Sequence, residues 1–234
     1  MKIRTPILIG LLVLACNAVV AGEAYKNFPG APADDRMLQA QDRVEELYER
    51  GEFARVMMIC EEDLAPKGDK FAQYTIGYMY LWGQGVERDQ ARALAWYRLA
   101  AERGNPALVQ VRDELVRQLT PQQIAESNRI FAEIWQQMGD NRILLKLIRA
   151  DLDTLKARTG TRIPGANSGP LTVVGASGAG AESYYKAVQE RLQTRLSYIR
   201  SNVEIIDIDQ GDDEAFVRSL EADFATEVAS LDLP

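Results

Sequence analysis

The sequence predicts an all-α array of paired helices followed by a small C-terminal α/β appendage. Amphipathic helical patterns succeed one another across residues 34–158. Gly51 and Gly85, which punctuate them, are 34 residues apart, a spacing typical of stacked helix pairs. A glycine-rich stretch at 159–180 then separates the array from residues 181–234, so we predict a linker there.

The first 21 residues have the pattern of an export signal. Lys2 and Arg4 precede an apolar run that ends in compact residues. This run is shorter than the roughly 20 residues of an unbroken membrane-spanning helix. We therefore predict a signal peptide at 1–21 and a periplasmic or secreted mature protein. The stretch Leu12–Cys16 also loosely resembles a lipobox, so a lipoprotein attached to the membrane through Cys16 is the alternative.

Glycine, proline and capping residues set the limits of the predicted helices in the array. The first two pairs comprise helices at 35–49, 53–64, 71–82 and 90–103. A third pair comprises 106–119 and 121–138, and its second helix begins with Thr120 as the cap, Pro121 at the first helical position and Gln123 three residues past the cap. A helix over 141–158, rich in Ile and Leu, follows the third pair.

The appendage is predicted from one helical stripe and one strand pattern. Apolar residues recur at helical spacing at Tyr185, Val188, Leu192, Leu196 and Ile199. Val203–Ile208 has the composition of a strand, and Asp212 or Asp213 caps a last helix that ends near Leu231. A short extended segment is also predicted at Leu171–Val174.

The composition argues against most kinds of catalytic and metal-binding site. The chain has no histidine, which removes the commonest general base and the commonest zinc ligand. After signal cleavage Cys60 is the remaining cysteine, so no intramolecular disulfide is expected, and its apolar neighbours indicate a core side chain rather than a nucleophile. We predict no catalytic residue, no metal site and no cofactor.

Two motifs suggest ligand sites, but neither has the required spacing. Residues 171–209 resemble a dinucleotide-binding βαβ unit only superficially, because the glycines do not match its fingerprint. Asp207–Asp213 is rich in acids, yet a glycine stands where a calcium ligand is needed and no glutamate closes the loop. A linker and a solvated acidic turn are therefore the favoured interpretations.

Charge also excludes one class of partner. The formal charge is −7, and it becomes −9 without Lys2 and Arg4. Most of it lies in residues 202–234, where Arg218 is the single basic residue among ten acids. With no basic stripe, we predict that nucleic acid is not a partner.

One segment carries a family resemblance. Residues 71–105 contain an Ile-Gly-x-x-Tyr helix, a Gly-x-Gly-Val loop, a Trp-Tyr pair and an Ala-Ala-x-x-Gly-Asn ending. At these spacings the segment closely resembles the Sel1-like repeat, a relative of the tetratricopeptide repeat. The resemblance implies a Sel1/TPR-like α-α superhelical repeat array and a role in protein association. It also implies that Gly77 permits close helix approach and that Tyr80 and Trp96 fill the space between the two helices.

In tetratricopeptide-like arrays the first helix of each pair lines the concave groove. On the helix at 71–82, the family pattern turns Ile76, Gly77, Met79 and Tyr80 inward. The predicted partner-binding residues of the groove are then Phe71, Tyr74, Tyr78, Leu81 and Trp82. All five are apolar or aromatic, so we expect something to cover them: the helix that contains Tyr185–Ile199, or a bound protein or peptide.

The sequence therefore predicts a non-enzymatic exported protein that acts as an interaction or assembly scaffold in the bacterial cell envelope. The alternative is an envelope protein that binds a small ligand, or hydrolyses one, in the same groove. A third possibility is a surface or secreted factor that meets other cells. A groove looks alike whatever it holds, so the sequence does not separate these.

Overall fold

A computed structural model describes residues 28–32, 34–159 and 181–202 of the 234-residue chain. These residues form helices and no strand, which confirms the all-α part of the predicted fold. The helices are α1 (Asp35–Glu49), α2 (Phe53–Ile59), α3 (Lys70–Trp82), α4 (Gln90–Ala101), α5 (Pro106–Gln118), α6 (Pro121–Met138), α7 (Asp140–Thr159) and α8 (Ala181–Asn202). The described residues divide into two compact units, one ending at Ile143 and the other beginning at Leu144.

Helices α1 and α2 form the first pair. Asp34 caps α1 by accepting a hydrogen bond of 2.8 Å from the amide of Met37. Gly51 turns the chain with a φ of +73°, which a residue with a side chain rarely adopts. The predicted hinge at Gly51 is therefore confirmed.

The second helix of this pair departs from the prediction of one helix over 53–64. It is α-helical to Ile59, continues as a π-helical turn at Cys60–Leu64 and ends in a 3₁₀ turn at Ala65–Lys67. Pro66 lacks an amide hydrogen and its ring would collide with the carbonyl four residues earlier in a regular α-helix. The helix loosens ahead of the proline, and this is the physical reason for the difference.

Helix α4 is the centre of the first unit, because it packs on α3, α5 and α6. Three of every four of its residues are buried, including Trp96 at 4% exposure. Gly77 allows the close approach of α3: a Cβ built there would lie 2.7 Å from Cδ1 of Tyr97 and 3.1 Å from the carbonyl oxygen of Ala93. The expectation for Gly77 is therefore confirmed, and Trp96 is buried as a core residue.

The caps of the later helices are the residues that were predicted from the sequence. Asp89 caps α4 by accepting from the amide of Arg92 at 2.9 Å. Thr120 and Gln123 form the predicted capping box of α6, with Pro121 in the first turn. Helix α7, predicted at 141–158, begins one residue earlier and ends one residue later.

In the second unit, charged contacts join α8 to the part of α7 that starts at Leu144. Arg195 is buried at 3% exposure and pairs with Asp151 at 2.5 Å, while Arg191 donates to the same carboxylate at 2.6 Å. Val188, Leu192 and Ile199 of the predicted apolar stripe are also buried. The predicted helical stripe of the appendage is thus confirmed.

Several predictions lie outside the described residues. They are the signal peptide and Cys16, the linker beyond Thr159, both predicted strands (Leu171–Val174 and Val203–Ile208) and the last helix to Leu231. The α/β character of the appendage therefore has no support from the structure. None of the helices in the described ranges has the length and apolar character that crossing a bilayer requires.

Candidate functional site

Four aromatic rings form a continuous ladder from the core of the first unit to its surface. Tyr97 of α4 stacks on Tyr74 of α3, with 5.4 Å between ring centroids. Tyr74 is followed by Tyr78 at 6.3 Å and Tyr78 by Trp82 at 6.1 Å. The side chain of Tyr74 is 4% exposed, whereas Trp82 is 60% exposed. The ladder is therefore held rigidly at its inner end and open at its outer end.

The spacing of the aromatic residues along α3 produces this arrangement. Residues four apart lie one above the other on one face of a helix, so Tyr74, Tyr78 and Trp82 share a face. Asp69 fixes the start of α3 by accepting from the amide of Ala72 at 2.9 Å. The helix ends where Gly83 adopts a φ of +67°, directly after Trp82.

Residues of the first helix pair frame the outer end of the ladder. Tyr48 contacts Phe53 edge-on at 5.2 Å, and its hydroxyl donates to Oε1 of Gln84 at 2.7 Å. The hydroxyl of Tyr78 in turn bonds to that of Tyr48. The loop after α3 touches Phe53, because a Cβ on Gly85 would lie 2.8 Å from the Cβ of Phe53. We call Tyr48, Phe53, Tyr78 and Trp82 the aromatic surface.

The tyrosines of this surface act as neutral hydrogen-bonding groups. Burial raises the pKa of Tyr78 to about 12, and the neighbouring Tyr48, to which it donates its hydrogen, adds to the shift. Burial also raises the pKa of Tyr48, against the opposing effect of its hydrogen bond with Gln84. Both phenols stay protonated at neutral pH. The chain of hydroxyls and the Gln84 amide thus adds a polar edge to an otherwise apolar surface.

The five predicted groove residues differ in their access to solvent. Tyr74 is buried because it stacks on Tyr97, so it supports the surface from below and is not open to a partner. Phe71, Tyr78 and Leu81 are half-buried, and Leu81 packs on the core that contains Tyr97. Trp82 is exposed. Among the described residues no ring contact joins Phe71 to the ladder.

Tyr48 and Phe53 were not among the predicted groove residues. They belong to a helix pair that matches the repeat pattern only weakly, and Tyr48 bonds to Gln84, which lies 36 residues later in the sequence. The glycine at position 85 is the signal that was available, since its φ of +73° allows the loop to touch Phe53. Tyr80, expected between the helices, is half-buried and lies under the guanidinium of Arg92 at 5.3 Å from its ring centroid.

Comparison with known families gives one match. Residues 70–105 match the family model described as the Sel1 repeat. The chain therefore contains a Sel1 repeat at these residues. Comparison with curated proteins and with solved structures gives no match. The matched residues comprise α3, the loop after it and α4, and they therefore contain the whole ladder.

The Sel1 repeat places this protein among the helical repeat proteins, which generally mediate protein–protein interactions. Such repeats are typically non-enzymatic scaffolds. Tyr74, Tyr78, Trp82 and Tyr97 all lie inside the repeat, whereas Tyr48 and Phe53 precede it. The aromatic surface is therefore built jointly by the Sel1 repeat and the helix pair before it.

A buried cluster of charges holds the two ends of the Sel1 repeat to the start of α7. Lys70 is 2% exposed, and its Nζ lies 2.9 Å from Oε2 of Glu102 and 3.1 Å from Oδ1 of Asp140. Arg103 donates to both oxygens of Asp140, at 2.7 and 2.8 Å. Trp135 donates to Glu102 at 3.1 Å. Two cations and two carboxylates balance, which is the condition for burying charges at acceptable cost.

The two carboxyl groups of this cluster have pKa shifts of opposite direction. Burial raises the pKa of Glu102, and the attraction of Lys70 offsets this in part. Burial also acts to raise the pKa of Asp140, but Lys70 and the two bonds from Arg103 outweigh it, so this pKa lies below its ordinary value. All four side chains have partners within the cluster, so we assign the cluster a structural role.

Neither a metal site nor a reactive cysteine is found among the described residues. Among them no group of three or more cysteine, aspartate or glutamate side chains is arranged to hold a metal ion. Cys60 is fully buried, and burial raises the pKa of its thiol. A thiol in this environment is a poor nucleophile. Its predicted position in the core is confirmed.

Proposed function

We propose that this Sel1-repeat protein is an exported interaction or assembly factor, which binds a segment of a partner protein over the aromatic surface. The observation that supports the proposal best is Trp82. Its indole is 60% exposed at the open end of a ladder whose inner members are packed. A large aromatic side chain in this position favours association, because covering it removes apolar area from water.

The geometry favours a rigid anchor. Trp82 is held by its ring contact with Tyr78. Tyr78 is held by its hydroxyl bond to Tyr48, which in turn donates to Gln84, so binding costs little side-chain entropy. Tyrosine and tryptophan are enriched among the residues that dominate binding energy at interfaces. The expected partner segment has an apolar face for the rings and a backbone or side-chain polar group for the hydroxyl edge. An amphipathic helix or an extended apolar peptide meets this description.

Trp82 should contribute strongly to partner binding but little to the stability of the fold. Because the indole is mostly exposed, Trp82→Ala should change the free energy of unfolding by less than about 0.5 kcal/mol. Loss of a binding anchor should weaken partner binding by about 2 kcal/mol, or roughly 30-fold. Met58→Ala is the matched control, since Met58 is also a large apolar residue at 50% exposure but lies outside the aromatic surface.

The experiment compares capture of partners from the native envelope fraction by the wild-type protein, Met58→Ala and the double variant Tyr78→Ala, Trp82→Ala. Partners are identified by mass spectrometry and their affinities are then measured. Partners lost from the double variant but kept by Met58→Ala support the proposal. An unchanged set of partners and affinities in the double variant contradicts it. Binding of a small apolar ligand in place of a protein would instead support the small-ligand alternative.

Export is the second part of the proposal, and it is supported by the charged and apolar pattern of residues 1–21. The mature chain is expected to begin near Gly22. Intact-mass measurement on protein from its native host tests this. A lipid-modified Cys16 at the new terminus would replace this version with the lipoprotein one, and an unprocessed chain would contradict both.

A further inference from the structure

A second concave region lies on the other side of α3 from the aromatic surface. Tyr80 and Trp82 are two positions apart on the helix, which turns their side chains to nearly opposite directions. An open cleft of about 950 Å³ begins at Tyr80. The loop of the Sel1 repeat and the first turns of α4 and α6 form its walls. Its volume is that of a site for a small molecule or a short peptide rather than for a single ion.

Two arginines in this cleft are oriented by the protein through one nitrogen each. Nε of Arg88 donates to the carbonyl oxygen of Leu81 at 3.0 Å. Nε of Arg92 lies 3.4 Å from Oδ2 of Asp89, and its guanidinium lies over the ring of Tyr80. Within the described part of the chain, the terminal Nη atoms of the two guanidinium groups have no hydrogen-bond acceptor. These are the atoms that form paired bonds with a carboxylate.

The cleft also offers neutral hydrogen-bonding groups. Nε2 of Gln123 at the start of α6 donates to Oε1 of Gln90 at the start of α4, at 3.3 Å. This bond leaves the amide nitrogen of Gln90 with hydrogen-bonding capacity, whereas the amide oxygen of Gln123 already accepts from the amide and the hydroxyl of Thr120, at 3.0 Å each. The amide nitrogen of Gln90 can therefore donate to the carbonyl oxygen of a peptide group.

The charges of the surrounding elements limit the charge of the ligand. Arg88 and Arg92 are opposed by Glu87 and Asp89 of the loop and by Glu61, whose carboxyl group bonds to the hydroxyl of Tyr80 and feels the charge of Arg92. Two arginines therefore face three carboxylates, so the formal charge of the site before a ligand binds is −1. A monoanion that pairs directly with the two guanidinium groups is repelled less by these carboxylates than a dianion such as phosphate.

We propose that this cleft is a binding site for a short peptide or peptide-like molecule, which it recognises through a carboxylate held by Arg88 and Arg92 and a neighbouring amide carbonyl that accepts from Gln90. The site is independent of the aromatic surface. The protein thus has two recognition faces on opposite sides of α3: one for an apolar protein segment and one for an anionic terminus or side chain.

The test uses the full-length protein and three probes: acetyl-trialanine with a free carboxylate, the same peptide as its C-terminal amide, and inorganic phosphate. Chemical-shift changes of the backbone amides at 83–92 are followed by NMR during each titration. The free carboxylate is expected to bind at least about 10-fold more tightly than the amide, because only it accepts charged bonds from the guanidinium groups.

Arg92→Gln and Arg88→Gln should each weaken binding of the carboxylate peptide by about 10-fold or more. Arg129→Gln is the matched control, since Arg129 is an exposed arginine on α6 that pairs with Glu126 away from the cleft. Equal binding of peptide and amide, binding of phosphate as tight as that of the peptide, equal loss in Arg129→Gln, or no shift changes at 83–92 would each overturn the proposal.

Discussion

Replacement of Gly77 by alanine tests the packing of the Sel1 repeat directly. Two effects oppose each other. Alanine is better than glycine inside a helix by about 1 kcal/mol. The new Cβ, however, would lie 2.7 and 2.8 Å from two carbons of the Tyr97 ring and 3.1 Å from a backbone oxygen of α4. Overpacking of this kind costs about 1–3 kcal/mol.

The structure decides which effect is larger. Tyr97 is 2% exposed and stacked on Tyr74, so its ring has no free space to move into. The carbonyl of Ala93 is part of the helix backbone and moves only with α4. We therefore expect Gly77→Ala to lower the free energy of unfolding by about 1–2 kcal/mol net.

The assay is urea denaturation followed by circular dichroism, for Gly77→Ala, Tyr97→Leu and the double variant. With the ring removed by Tyr97→Leu, the same glycine replacement should be close to neutral or stabilising, because the helix propensity term then dominates. If Gly77→Ala stabilised the wild-type protein, or cost the same in both backgrounds, the inferred contact between α3 and α4 would be wrong.

Further predictions concern the core, the charge cluster and the phenols. Trp96→Ala should cost about 3–5 kcal/mol in urea denaturation because the indole is buried, and an unchanged midpoint would show that it is not. Lys70→Met should cost about 3–5 kcal/mol, since it leaves two buried carboxylates with one cation, and a loss below about 1 kcal/mol would contradict the cluster. The pKa of Asp140 is lowered on folding, so its contribution is present at neutral pH and is lost as pH falls below the ordinary value of 3.8. The stability difference between wild type and Asp140→Asn should therefore narrow in that range, and a constant difference would argue against the shift. Finally, ultraviolet titration should show a tyrosine with a pKa of about 12 that disappears in Tyr78→Phe.

The helices and their limits could be predicted from local sequence because local chemistry determines them. Asp89, Thr120 and Pro121 act within one helical turn, through side-chain caps and a fixed φ. The π-helical turn at Cys60–Leu64 was missed, although its cause, Pro66, was visible. A proline shows that a helix must change but does not show whether it stops or loosens.

The candidate site was predicted only in part, because the direction of a side chain on α3 depends on what packs there. Sequence spacing correctly places Tyr74, Tyr78 and Trp82 on one face. It does not show that Tyr97 buries Tyr74, or that Tyr48 and Phe53 complete the surface. The contact of Tyr74 with Tyr97 and that of Tyr48 with Gln84 join residues that are distant in sequence.

The sequence by itself determined the helical repeat class of this protein, since the Sel1 pattern is a set of glycine, alanine and aromatic residues at fixed spacing. Only the tertiary structure decided which groups meet across the helices. Lys70, Glu102 and Asp140 lie 32 or more residues apart and become one buried cluster. Arg88 and Arg92 become the walls of a cleft with Gln123. The physical reason is that charge pairing and ring stacking act at a few ångströms in space, and no local pattern of residues encodes those distances.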